Sequence, residues 1–196
     1  MKEFLIEEAV GIAAYLLVTL IGLLGAAGGV GVLSTNVVHA LIPLPGFGAT
    51  VFMPLAAACL VIARARVRHP LAGGLTRTVQ QLVIFFLPGG SPTAHNPFLL
   101  PLMVVDGFLL DLIHRRWPAD LSTARVWSGL LCAACGAVGT VVQVGVLALF
   151  VGRDQFLLGQ GLPFFVALFV GFHSLLRFVG GMIGSRVLQA LPERTV

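Results

Sequence analysis

The sequence predicts an all-α fold: one integral membrane bundle of six transmembrane helices spanning residues 1–196, with both termini cytoplasmic. Three observations predict it. The chain is 58% hydrophobic and only 10% charged, with a mean hydropathy of +1.01, far outside the range of a soluble domain of this size. Apolar runs long enough for a bilayer core, which needs about 20 residues per helix, recur along the whole chain. Lys and Arg collect in alternate connections, the pattern that sets membrane topology. The 24 glycines and 11 prolines fit the same class, because small residues let membrane helices approach closely.

The first span is read over 9–33. It follows "MKEFLIEE", where Glu3, Glu7 and Glu8 outweigh Lys2. A cleaved signal peptide has a basic start and a shorter apolar core, so this segment is expected to remain a helix. The second span, 47–63, and the fourth, 97–113, are short. The third, 70–88, contains "GGLTRTVQQLVIFFLPGG", in which Arg77, Gln80 and Gln81 interrupt an apolar helix. The fifth and sixth are read over 126–151 and 161–186.

Orientation follows from the connections. Arg64, Arg66 and Arg68 lie between the second and third spans, and Arg115, Arg116 and Arg125 between the fourth and fifth. Both connections are expected to be cytoplasmic. The alternate connections, 34–46, 89–96 and 152–160, hold a single basic residue, Arg153, beside Asp154. Trp117 and Trp127 flank a cytoplasmic connection, where indoles favour the interface. The net charge of +4 thus belongs to topology. No basic patch alternates with exposed aromatics, so nucleic acid is not an expected partner.

Polar residues inside the spans are the candidate functional residues, since a charge at mid-membrane costs about 2.5–3.5 kcal/mol on insertion scales. Arg77, Gln80 and Gln81 fall on one narrow helix face. His173, Arg177, Gly180 and Gly184 share a face of the sixth span, and Gly129, Ala133, Gly136, Thr140 and Gln143 a face of the fifth. These stripes are expected to face one another. At about 1.5 Å per residue from the cytoplasmic ends, Arg77, Asp106 and Arg177 reach similar depth. An Asp between two arginines reads either as a register-locking ion cluster or as one that leaves an arginine for an anionic ligand. Gln80, Gln81 and Gln143 lie further outward, placed to bind a ligand or one another.

The outer loops "STNVVHALIPLPGFG" and "PGGSPTAHNP" are uncharged apart from His39 and His95 and rich in Pro or Gly. They read as surface connections or as a lid over the bundle, and they add Asn36, His39, His95 and Asn96 to the candidate binding residues. His39, His95 and His173 stand at no recognised metal spacing, so neither a metal nor a resident cofactor is expected. Cys132 and Cys135 form "CAAC" in the cytoplasmic half of the fifth span, where thiols stay reduced and Cys packs as a small apolar residue; Cys59 reads as core. No H-E-x-x-H, G-x-S-x-G or phosphate-cradling Gly-rich loop is present, and an enzyme is not expected. Without such a loop the chain does not hydrolyse ATP, so energy for transport has to come from a partner or a gradient.

In size, helix number, termini, the Pro-containing loop "HALIPLPGFGA" and the Gly-rich closing helix "LLRFVGGMIGSRVL", the chain resembles the substrate-binding S components of energy-coupling factor (ECF) transporters. The resemblance implies a vitamin or similar micronutrient captured at the outer side under the first and third outer loops. It also implies two kinds of protein partner, a transmembrane coupling subunit and cytoplasmic ATPase subunits. The family's alanine motif is matched by Ala9 and Ala13, which would dock the coupling subunit. A second small-residue stripe, Gly11, Ala14, Gly22, Gly25, Ala26 and Gly29, lies on another face of that helix. The cobalt and nickel members carry a His near the extreme N-terminus and "MKEFLIEE" has none, which favours an organic cargo, with haem or another porphyrinoid kept open by the outer His residues. Two other readings stand beside this one: a structural or regulatory membrane subunit, and an intramembrane lipid enzyme using Asp106 and His173 as acid and base.

Overall fold

The computed structural model describes residues 53–67, 69–86, 97, 100–151 and 162–191. Among them it is all-helical: α1 (Met53–Arg66), α2 (Ala72–Phe86), α3 (Leu100–Met103), α4 (Val105–Arg116), α5 (Arg125–Val151) and α6 (Leu162–Ala190). Two of these helices are long and apolar enough to cross a membrane, α5 through Arg125–Val146 and α6 through Val166–Ala190. At about 1.5 Å per residue both exceed the roughly 30 Å of a bilayer core. The first span, 9–33, and all three connections read as outward-facing contain residues outside the described set.

Glycine sets how closely the helices approach. A Cβ on Gly107 would lie 2.7 Å from Gly73 O, and one on Gly73 would lie 2.9 Å from Gly107 O, so α2 and α4 meet backbone to backbone. Along α6, Gly180 sits on Pro54 and Ala57, and Gly184 on Ala58 and Val61, which seats α6 against α1. Gly181 meets Ser128 and Gly129 on the other side, so α6 also contacts α5 closely. Five helices are linked by these contacts, and α1, α4, α5, α6 and the α4–α5 connection supply a core of Ala57, Leu60, Val61, Leu110, Leu121, Leu131, Cys132, Cys135 and Leu188. All three cysteines are buried and free.

Outside this core the long helices turn apolar side chains outward. Leu175, Val179, Ile183 and Val187 are exposed at successive turns of α6, and Leu130, Val138 and Val141 on α5. Contiguous apolar surface of this kind is a liability in water and costs nothing against lipid.

The two basic connections lie at one end of the bundle. Arg64 Nε donates to His114 Nδ1 at 3.3 Å, joining the end of α1 to the end of α4. Ser185 Oγ and Gln189 Nε2 donate to Ser122 O at 3.0 and 2.6 Å, and Arg125 donates to Gln189 Oε1. These bonds fasten the end of α6 to the connection between α4 and α5. α6 runs to Ala190, past the 186 read from hydropathy, with Leu188 in the core and Gln189 held by these bonds.

The fourth apolar run is not one continuous helix. It breaks at Val104 between α3 and α4, and α4 continues to Arg116. Gly107 N bonds to Val104 O at 3.1 Å. Arg77 Nε donates to Met103 O at 3.1 Å, the carbonyl an unbroken helix would pair with Gly107. A guanidinium on the neighbouring helix thus satisfies the carbonyl freed at the break.

Candidate functional site

The Gly73–Gly107 contact brings the next turn of α2 against the start of α4. There Arg77 Nε meets Asp106 Oδ1 at 3.2 Å. From the opposite side Arg177 Nη1 of α6 pairs with Asp106 Oδ2. The three charged residues are 8%, 2% and 7% exposed in the order Arg77, Asp106, Arg177, so they lie where an unpaired charge would be costly.

α5 makes room for this cluster with small residues. A Cβ on Gly136 would collide with the Arg177 side chain, and one on Gly139 would lie 3.2 Å from Asp106 Cβ. Thr140, buried on the same helix, returns its hydroxyl to Gly136 O at 2.7 Å, a local bond that satisfies a polar group inside an apolar helix. Thr78 does the same with Gly74 O at 2.8 Å and Ser174 with Val170 O at 2.7 Å.

The two glutamines complete the surroundings of Arg77. Gln80 Oε1 accepts from Arg77 Nη1 at 3.2 Å. With its amide oriented to suit its neighbours, Gln81 accepts through its oxygen from Arg77 Nη2 at 2.9 Å and Nη1 at 3.1 Å. Both glutamines are buried. Arg77 therefore has Asp106, Met103 O, Gln80 and Gln81 as acceptors.

Of the other residues singled out from sequence, His173 is buried, with Nδ1 2.8 Å from Phe169 O and its ring centroid 3.9 Å from that of Phe169. Gln143 is half-buried on α5, beyond Gly136 and Thr140. Asn36, His39, His95, Asn96, Ala9 and Ala13 lie outside the described residues. Asp106 is engaged by two guanidinium groups and His173 by a carbonyl of its own helix, which leaves their pairing as acid and base unsupported. Among the described residues no three His, Cys, Asp or Glu side chains are grouped to hold a metal ion.

A second buried carboxylate was not singled out by sequence reasoning. Asp111 accepts from Gly73 N at 2.9 Å and Gly74 N at 2.7 Å, capping the start of α2 with a side chain from α4. Arg64 Nη1 is 3.7 Å from its Oδ1 and donates to His69 O at 2.7 Å. His114 also bridges toward Ala119 O at 3.1 Å. The signal available was the Gly-Gly at a helix start, which leaves backbone donors bare and in need of an acceptor.

Outside the spans, Asp120 accepts from Ser122 Oγ at 2.6 Å, Ser122 N at 2.9 Å and Thr123 Oγ1 at 3.0 Å. These bonds, the Ser122 hydroxyl first, hold its carboxyl below the usual carboxylate range. They shape the turn that presents Ser122 O to Ser185 and Gln189.

The site is thus a buried polar cluster assembled from α2, α4 and α6 around one carboxylate, with α5 packed against it through glycine. Compared with protein-family models, with curated proteins and with solved structures, the chain finds no match.

Proposed function

We propose that the chain is the membrane-embedded substrate-binding subunit of an ECF-type importer, a multi-pass protein of the cell membrane. It captures a vitamin or similar small micronutrient at the extracellular side and passes it inward with a transmembrane coupling subunit and cytoplasmic ATPases. The observation that carries this reading is the cluster of Arg77, Gln80, Gln81, Asp106 and Arg177 buried inside an otherwise apolar bundle. Buried polar groups of this number in a membrane domain mark substrate pathways by default. The lipid-compatible faces of α5 and α6, and the gathering of both basic connections at one end, support the topology on which the reading depends.

A second reading is favoured by one specific observation: Arg77 finds acceptors for its donors entirely within the bundle. On that reading the cluster only locks helix register in a structural or regulatory subunit. Affinity purification of the chain from its native membrane separates the two. The transport reading expects a coupling subunit and ATPase subunits to co-purify together with a small molecule released on denaturation. Recovery within a larger complex without ATPases or small molecule would establish the structural reading in its place.

A further inference from the structure

The charges around Asp106 do not sum to zero. Arg77 and Arg177 bring two positive charges to one carboxylate, leaving a surplus of one in a region where all three residues are more than nine-tenths buried. The nearby Asp111 does not offset it, because that carboxylate faces Arg64 and the start of α2. An uncompensated buried charge is among the costliest features a fold can carry, and it persists where a counter-ion arrives from outside.

The donors show which group is left to hold that counter-ion. Arg77 is supplied with acceptors on every side described above. Arg177 is not: Nη1 is engaged by Asp106, and its buried Nε has no hydrogen-bond partner. In a guanidinium, Nε shares an edge with one Nη, and that edge receives a carboxylate through both oxygens at once. Gln80 and Gln81 direct their amide oxygens to Arg77, so the groups they retain for another molecule are N–H donors. The interior therefore holds a surplus positive charge and an unused buried donor, Arg177 Nε.

We propose that this cluster binds the carboxylate of the cargo, with the Nε edge of Arg177 as the principal contact. The substrate class is then a small organic acid, as opposed to a neutral or cationic micronutrient. This assignment rests on the transport reading and narrows it.

The test uses matched probes on the detergent-purified full chain, read by thermal unfolding at neutral pH: nicotinate against nicotinamide, lipoate against lipoamide, and pantothenate against pantothenol. The expected result is that at least one acid stabilises the chain with an apparent affinity about tenfold or more above that of its neutral partner, the loss expected when one buried charged hydrogen bond goes unmade. Arg177→Lys keeps a positive charge beside Asp106 but removes Nε, and is expected to abolish the difference between acid and neutral partner. The comparison within each pair needs only the parent chain, so it holds whether or not the variant folds. Equal stabilisation by acid and neutral partner would overturn the assignment and leave the transport reading standing. Stabilisation by phosphatidylglycerol and by none of the acids would overturn it in favour of a lipid headgroup. Stabilisation by no probe of either kind would count against the assignment and the transport reading together.

Discussion

Two buried aspartates on the same short helix have opposite surroundings. Asp111 is held by two backbone N–H groups at the start of α2, with Arg64 at 3.7 Å. Asp106 is held by the side chains of Arg77 and Arg177. Backbone donors at a helix start are fixed by the helix and favour a negative charge through its dipole, so Asp111 sits in a site built by the fold itself. Asp106 depends on two long side chains that must each be ordered, and it leaves a positive charge over. The first arrangement is complete within the described chain; the second has an unused donor on Arg177. On the proposed reading the difference separates a fastening from a binding position, although both are buried carboxylates on α4.

The largest effect is expected from removing the carboxylate that has two arginine partners. Asp106→Leu leaves both guanidinium groups buried without a counter-charge and is expected to cost about 3–5 kcal/mol, or to prevent folding. Thermal unfolding in detergent against the parent chain measures it; a change below about 1 kcal/mol would mean the arginines find partners elsewhere and would break the comparison. Next comes the contact that positions both aspartates. Gly107→Val forces a side chain into Gly73 O and Arg77 Cβ, for an expected loss of about 1–3 kcal/mol, read by the same unfolding assay.

Asp111→Ala is expected to cost about 1–2 kcal/mol, as for loss of an N-cap side chain. On the transport reading it leaves ligand binding unchanged, whereas Gln80→Leu with Gln81→Leu weakens it, and titration of each variant with the organic acid that stabilises the parent chain sharpens the contrast. The smallest effect concerns pH. The Asp120 carboxyl is held below its unfolded value of about 3.9, so its contribution is present above that value and is lost as pH falls through the folded one. The stability difference between the parent and Asp120→Asn is expected to narrow over that acid range, measured by unfolding at a series of pH values.

Much of this arrangement was legible in particular residues. Arg77, Asp106 and Arg177 fall at matching distances from the basic connections, and Asp106 and Asp111 are the only acids in the six apolar runs, which leaves few other partners for two arginines. The glycines of "LLRFVGGMIGSRVL" announced close packing, but Gly180 and Gly184 meet α1 and not the stripes of the third and fifth spans that the spacing predicts they face. The break at Val104 was not legible, because the competing hydrogen bond to Met103 O comes from Arg77 on a different helix. For the same reason the glutamines read as bound to a ligand or to one another, when their oxygens turn to Arg77: an amide's orientation depends on neighbours in space. Asp111 escaped notice because its partners are backbone N–H groups, which every residue except proline carries and which only the Gly-Gly at the start of α2 hinted at.

Native mass spectrometry of the chain and of its Gln80→Leu, Gln81→Leu, Gln143→Leu variant, both purified from the membrane in which they are expressed, tests most directly whether the interior polar cluster serves a ligand. The expected result is a small molecule bound to the parent chain and absent from a variant that still folds. A parent chain that carries no small molecule, or a variant that carries it undiminished, would contradict a ligand role for these side chains.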